Sequence, residues 1–130
     1  MTRILVIAHA GVGEAMYEVL RSILGAAPPL AVIPVAPGDD ADLVLETIGH
    51  EVRGLCATLP PLVLTDLPGA TPDNLARSAV RRLCPNAPVV TGLNLPMLVR
   101  TVNHADQPAE QLARLAEDGG HRAIFVEHAT

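Results

Sequence analysis

The sequence predicts an α/β protein with an open, doubly wound and mainly parallel sheet. Short apolar runs typical of buried strands alternate along the chain with helix-like stretches, which favours a series of βαβ units. Two of these runs, residues 4–8 and 62–65, each lead into one ionisable residue, as buried parallel strands with functional tips do. The 130 residues are enough for a full core, so we predict a single domain over residues 1–130.

Composition narrows the class of protein. Hydrophobic residues make up 49% of the chain and aromatic residues 2%, so Leu, Val, Ile and Ala must fill the interior. The net charge is −5, all nine basic residues are Arg, and no basic cluster is interleaved with aromatics, which argues against nucleic acid binding. The first apolar run is too short for a membrane span or a signal peptide, so we expect a cytoplasmic protein without membrane insertion.

The first half of the chain reads as two βα units. Strand one (4–8) precedes a loop at 10–13 and a helix that ends near Gly25. Strand two (30–35) contains Pro34, which indicates an edge strand because proline cannot donate to a ladder. The predicted inward residues are Met16, Val19, Leu20 and Ile23 on the first helix and Val44, Ile48, Val52 and Leu55 on the second, which Asp39, Asp40 and Asp42 cap and charge.

The second half continues the alternation. Strand three (62–65) leads to a helix with Thr71 as N-cap, Pro72 in its first turn and a buried stripe of Leu75, Ala79 and Leu83. Strand four (89–91) precedes a short helix from Asn94 to about Val102, and a last helix is predicted to end at Gly119-Gly120. Residues 123–126 read as a final short strand, antiparallel to its neighbour and open to exchange within a dimer.

The strand order follows from the edge position of strand two. If strand one lies between strands two and three, the order begins 2-1-3-4 and the chain reverses direction between strands one and three. That reversal is the point at which open α/β sheets bind ligands. His9 after strand one and Asp66 after strand three would both face it.

His9 and Asp66 are the candidate catalytic residues. A neutral imidazole can act as a nucleophile, and a neighbouring carboxylate can hold its tautomer and stabilise positive charge on the ring. The turn Gly69-Ala70-Thr71 feeds into a helix N-terminus, whose free N–H groups attract an anion, and Thr71 adds a hydroxyl. Each feature alone is also compatible with an ordinary loop histidine, a turn-capping aspartate or plain helix capping.

Other chemistry-bearing residues receive structural interpretations. Cys56 and Cys84 form no close-spaced motif, and we predict reduced core thiols rather than a disulfide or a metal site. Gly11-Val12-Gly13 matches only part of a dinucleotide fingerprint. We expect no cofactor and no metal, and we interpret the remaining histidines as solvated: His50, His104, His121 and His128.

Three segments together resemble a known family. His9 after the first strand, residues 64–74 (LTDLPGATPDN) and residues 90–98 (VTGLNLPML) are similar to the mannose-family EIIA domain of the bacterial sugar phosphotransferase system (PTS). The resemblance covers nearly the whole chain in the same order. It implies that His9 accepts a phosphoryl group from the histidine carrier protein HPr and passes it to an EIIB domain.

The resemblance also implies supporting roles and an assembly. Asp66 would tune the histidine, the turn around Thr71 would hold the phosphoryl oxygens, and the protein would be a homodimer. The chain departs from the family at Pro68, where an aromatic residue is common, at 69–71, where Gly-Gly-Ser is frequent, and at the alanines flanking His9, where Thr and Gly are frequent. The small residues and the hydroxyl persist, whereas Pro68 changes an exposed position beside the site that bears on partner choice.

Three functions compete at this stage. The first is a phosphocarrier in a sugar transport relay, which is a phosphotransferase activity through phosphohistidine. The second is a regulatory protein of the same fold whose phosphorylation state at His9 another protein senses. The third is a phosphotransferase subunit serving a dihydroxyacetone kinase. An EIIB component and a membrane permease encoded nearby would favour the first function.

Overall fold

The computed structural model describes residues 1–129. Four strands and five helices alternate in the order that the sequence predicted until the last two helices follow each other directly. The elements are β1 (Ile4–His9), α1 (Val12–Leu24), β2 (Leu30–Val35), α2 (Ala41–Cys56), β3 (Leu62–Thr65), α3 (Thr71–Leu83), β4 (Val89–Thr91), α4 (Leu95–Asn103) and α5 (Ala109–Arg122).

The four strands form one parallel sheet in the order β2-β1-β3-β4. This confirms the predicted fold class and strand order, with Pro34 on the edge strand β2. The register pairs Ile7 of β1 with Thr65 of β3, so that the residues following both positions emerge at the same edge of the sheet. The switch point therefore lies between the carboxyl ends of β1 and β3.

Alternating side chains of the strands build two cores, one on each face of the sheet. Ile4, Val6 and Ala8 of β1 join the core covered by α1, α4 and α5, whereas Leu5 and Ile7 join the core covered by α2 and α3. This two-sided burial explains why the strands read as continuous apolar runs in the sequence.

Helix α1 buries fewer of its apolar residues than the periodicity of the sequence predicted. Leu20 is fully buried and Met16 packs against the core, but Val19 and Ile23 are 44% and 60% exposed, so their predicted burial is wrong. Helix α1 contacts β1, the edge strand β2 and α4. Near a sheet edge, only part of an apolar helix face finds a surface to cover.

Two predicted helix ends differ from the structure. The N-cap of α3 is Ala70, and Thr71 is the first helical residue, so its hydroxyl caps nothing. Helix α5 runs through Gly119 and Gly120 to Arg122, and the two glycines lie where α4 approaches too closely for larger residues. A Cβ at Gly119 would lie 2.8 Å from Arg100 Cβ, and one at Gly120 would lie 3.1 Å from Met97 Cε.

The predicted strand at residues 123–126 is not formed in the single chain. The segment after α5 has no regular structure up to residue 129, and Ile124, Phe125 and Val126 are 74%, 67% and 80% exposed. Within residues 1–129 it pairs with no strand, so that part of the prediction is wrong for a single protomer.

The expectation of two free thiols is also wrong. Cys56 at the end of α2 and Cys84 at the end of α3 form a disulfide, with their Cα atoms 6.0 Å apart. Both residues belong to the core between these helices and the sheet. Their spacing along the chain, 28 residues, carries no sign of this proximity, which the packing of α2 against α3 creates.

Candidate active site

The candidate site lies at the carboxyl edge of the sheet, where β1 and β3 end side by side. His9 is the last residue of β1, and Asp66 directly follows β3. The structure brings these two predicted residues into contact. Asp66 Oδ2 lies 2.7 Å from His9 Nδ1 and also accepts a hydrogen bond from the His9 backbone N–H at 3.0 Å.

The carboxylate of Asp66 is fixed by more than the imidazole. Its second oxygen, Oδ1, accepts the Leu67 backbone N–H at 3.0 Å. The side chain is only 11% exposed, whereas the His9 side chain is 43% exposed. The carboxylate of Asp66 is therefore mostly buried and fixed by hydrogen bonds, whereas the imidazole of His9 is accessible to solvent or to another molecule.

The electrostatics of the pair define the tautomer of His9. Burial alone would raise the pKa of Asp66, but the hydrogen bonds from the His9 backbone and ring and the charge of the imidazolium outweigh burial and hold that pKa below its usual 3.8. An ionised carboxylate can only accept, so Nδ1 must carry the proton. Nε2, which has no hydrogen-bond partner among residues 1–129, then keeps its lone pair in the neutral ring.

The turn that follows Asp66 was predicted to bind an anion through Gly69, Ala70 and Thr71. The Gly69 N–H already donates to Asp73 Oδ2 at 3.0 Å, and the Ala70 N–H donates to the Leu67 carbonyl at 3.2 Å. The φ of Gly69 is +79°, which favours glycine at the tightest point of the turn. Gly69 and Ala70 thus shape the turn.

Thr71 is the residue of this turn that offers free donors. It is the first residue of α3 and is exposed, and its hydroxyl makes no hydrogen bond within the described part of the chain. Its N–H belongs to the first turn of the helix, where backbone donors have no partner inside the helix. Binding of phosphoryl oxygens by this turn stays a prediction.

Sequence reasoning did not single out Asp73. It is a buried carboxylate, 1% exposed, that accepts the Thr65 hydroxyl at 2.7 Å as well as the Gly69 N–H. An aspartate in the first turn of a helix is ordinarily a surface residue that complements the helix dipole. No local pattern distinguishes the two cases, because the burial comes from β3 and the turn closing over it.

The other histidines lie apart from this site. His50, His121 and His128 are exposed, as predicted, whereas His104 is half-buried with Nδ1 2.9 Å from the Arg100 carbonyl. Within residues 1–129, no group of three or more His, Cys, Asp or Glu side chains could hold a metal ion. No helix in the same range is both long and apolar enough to cross a bilayer.

Comparisons with known proteins agree on a family. The family model described as "PTS system fructose IIA component" (EIIA-man) matches residues 3–116. The mannose-specific EIIAB component of the PTS from Escherichia coli (strain K12) is 29% identical over 118 residues, which is 89% of this chain and 36% of that protein. The chain therefore spans about a third of the length of the curated relatives it matches.

Solved structures share the fold. The mannose/sorbose-specific IIA subunit from Enterococcus faecalis superposes with a TM-score of 0.89 at 23% identity, covering 99% of this chain and 96% of that one. The EIIA component from Streptococcus agalactiae gives 0.82 at 23% identity, with 97% of both chains covered. The family match spans both the His9–Asp66 pair and the Thr71 turn, and the chain belongs to the mannose-type EIIA domains of the bacterial phosphotransferase system.

Proposed function

We propose that this domain is a phosphocarrier that accepts a phosphoryl group on Nε2 of His9 from phospho-HPr and passes it to an EIIB component. The observation that carries the proposal is the 2.7 Å contact between His9 Nδ1 and Asp66, which leaves Nε2 as the nucleophilic ring nitrogen. Membership of the mannose-type EIIA family supports HPr as the donor and an EIIB component as the acceptor in this proposal.

The chemistry requires only groups that the chain holds. The Nε2 lone pair attacks phosphorus, the nitrogen–phosphorus bond on the HPr histidine breaks, and its electron pair returns to that imidazole. His9 becomes positively charged while Nδ1 keeps its proton. Asp66 stabilises that charge at 2.7 Å, and the same contact persists when the group leaves for EIIB.

The exposure of His9 fits transfer between proteins. Its side chain is 43% exposed, and it lines neither the groove beside β4 nor the groove between α2 and α3. A surface histidine suits a partner that brings its own histidine or cysteine to the phosphorus, whereas small substrates are ordinarily enclosed. Thr71, with a free hydroxyl and N–H, is the proposed donor to the phosphoryl oxygens, in the turn shaped by Gly69 and Ala70.

The test is phosphoryl transfer from phosphoenolpyruvate through enzyme I and HPr, followed by mapping of the phosphorylated residue. We expect one acid-labile phosphohistidine at His9, lost in His9→Ala and retained in the matched control His50→Ala. Label that persists in His9→Ala would overturn the proposal. Label at His9 that a mannose-type EIIB domain cannot remove would instead favour the regulatory function.

We further propose a homodimer built at the open edge of β4. This strand ends the sheet, and a groove of about 560 Å³ lies between it and α5. The exposed apolar segment 124–126 follows α5 directly. The same segment of a second copy would cover both the unpaired strand edge and the groove, which is a low-cost route to a twofold assembly.

We also propose a cytoplasmic location, because the relay partners of the proposed function act there.

A further inference from the structure

The carboxylate of Asp73 is buried at a place where three parts of the site meet. It lies in the first turn of α3, is 1% exposed, and uses both oxygens. Oδ1 accepts the hydroxyl of Thr65, the last residue of β3, and Oδ2 accepts the N–H of Gly69 in the turn. Arg77 Nη1 lies 3.6 Å from Oδ2, one turn along the helix.

A buried carboxylate is unfavourable unless hydrogen bonds or a countercharge compensate for lost hydration. Here both Asp73 oxygens are compensated by groups that flank the functional residues. Thr65 directly precedes Asp66 in the chain, and Gly69 lies two residues before Thr71. These two hydrogen bonds therefore hold both ends of the segment that connects Asp66 to Thr71, the proposed hydrogen-bond donor to the phosphoryl oxygens.

The rest of that segment has little support of its own. Leu67, Pro68 and Gly69 are exposed, and the internal hydrogen bonds of the turn are the Ala70 N–H to the Leu67 carbonyl and the Leu67 N–H to Asp66. Asn74 adds a contact from its side-chain amide to the Gly69 carbonyl at 2.9 Å. Asp73 is the one buried group among these, and it joins the turn to both β3 and α3.

We propose that Asp73 is a positioning residue for phosphoryl transfer, which fixes the separation between the His9–Asp66 pair and the Thr71 donors. Because Asp73 occupies the Gly69 N–H, it also directs the incoming phosphoryl oxygens to Thr71. The inference rests on the proposed function, since it concerns the same transfer. Transfer rates are sensitive to placement, and a displacement of about 1 Å can slow a reaction by about a hundredfold.

The experiment compares two isosteric substitutions, Thr65→Val and Thr2→Val. Each deletes one hydrogen bond of a buried threonine hydroxyl: Thr65 to Asp73 at 2.7 Å, and Thr2 to the Gln107 carbonyl at 2.6 Å. Thr2 precedes β1 and lies at the opposite end of that strand from His9. Loss of a buried hydroxyl contact is thus common to both variants, and only Thr65 touches Asp73.

We expect Thr65→Val to slow single-turnover phosphorylation of His9 by about ten- to a hundredfold at saturating phospho-HPr, with KM little changed. Thr2→Val should transfer at the wild-type rate, and Thr65→Ser should restore the rate. Asp73→Asn, which keeps the shape but accepts only one of the two donors well, should be slowed as well. All rates are measured at a temperature at which circular dichroism shows each variant folded.

A second donor separates this inference from the proposed function. Phosphoramidate phosphorylates histidine without any protein partner, so it reports on the site even where phospho-HPr does not react. If phosphoramidate labels His9 of the wild-type protein and phospho-HPr does not, HPr is overturned as the proposed donor. Wild-type rates in folded Thr65→Val and Asp73→Asn, with either donor, would overturn the positioning role and leave the proposed function intact. Failure of both donors to label wild-type His9 would overturn both.

Discussion

Reduction of the Cys56–Cys84 disulfide should lower the stability of the protein by an amount that the chain length between the two residues determines. A bond that closes a loop of 28 residues removes conformational entropy from the unfolded chain worth about 3.5 kcal/mol at 25 °C. Unfolding entropies of about 2.1 cal/mol/K per residue, over 130 residues, convert this into a Tm lower by about 13 °C.

The folded state should change little on reduction. Cys84 is fully buried and Cys56 packs against the same core, so both thiols would remain in apolar surroundings beside α2, α3 and the sheet. The loss of stability therefore acts through the unfolded ensemble, and the far-UV circular dichroism of the folded protein should be the same with and without reductant.

The assay is thermal unfolding of the air-oxidised protein with and without a phosphine reductant. The double variant Cys56→Ser, Cys84→Ala is the matched control, and its Tm should not respond to reductant. Coincident melting curves for the wild type under the two conditions would refute the reasoning. So would alkylation of two thiols in the unreduced protein after unfolding, because the bond would then not exist.

Three other perturbations follow from the structure. The pKa of Asp66 is below its usual 3.8 in the folded protein, so ionised Asp66 stabilises the fold above about pH 4, and this stabilisation is lost as the pH falls through the folded pKa. In urea titrations, the unfolding free energies of the wild type and Asp66→Asn should therefore converge in acid. A difference that stays constant with pH would contradict this. Gly13→Ala should lower the free energy of unfolding by about 1–2 kcal/mol, because the new Cβ would lie 2.8 Å from Val32 Cγ1. The control Gly54→Ala, whose new Cβ would lie in open space, should raise that free energy by about 0.5–1 kcal/mol. Equal changes in the two variants would disprove the packing argument. Light scattering should give twice the 13.6 kDa chain mass for the whole chain and the mass of a monomer after truncation before Ile124. The reason is that a dimer would bury Ile124, Phe125 and Val126, which is worth about 1.5–3 kcal/mol per side chain. A truncated protein that still forms a dimer would refute the role of this segment.

The features that could be predicted from sequence are those with a local cause. Pro34 indicated the edge strand, and two apolar runs ending in His9 and Asp66 indicated parallel strands whose tips meet. The carboxyl ends of neighbouring parallel strands must lie at one edge, so the contact between the two side chains followed from the strand order. The structure was needed to show that Nδ1, rather than Nε2, of His9 faces the Asp66 carboxylate and therefore carries the proton.

The features that were missed have a tertiary cause. The disulfide depends on α2 and α3 packing side by side, which brings two residues 28 positions apart within bonding distance. Helix α5 continues through Gly119 and Gly120, which lie where α4 approaches, so a pattern typical of a helix end instead marks a close contact between two helices. Asp73 is buried because β3 and the turn close over it, which no spacing of residues expresses.

The unequal tethering of the two helical layers has a consequence for how the protein opens in its native state. Helices α2 and α3 are joined covalently on one face of the sheet, whereas α1, α4 and α5 on the other face are held by noncovalent contacts, which include the ion pair between Arg100 of α4 and Asp118 of α5. A helix can open locally only if it separates from the neighbouring helices and strands while the remainder of the protein stays folded. Amide hydrogens of α5 should therefore exchange with solvent faster than those of α2, through partial opening of one face while the other stays closed.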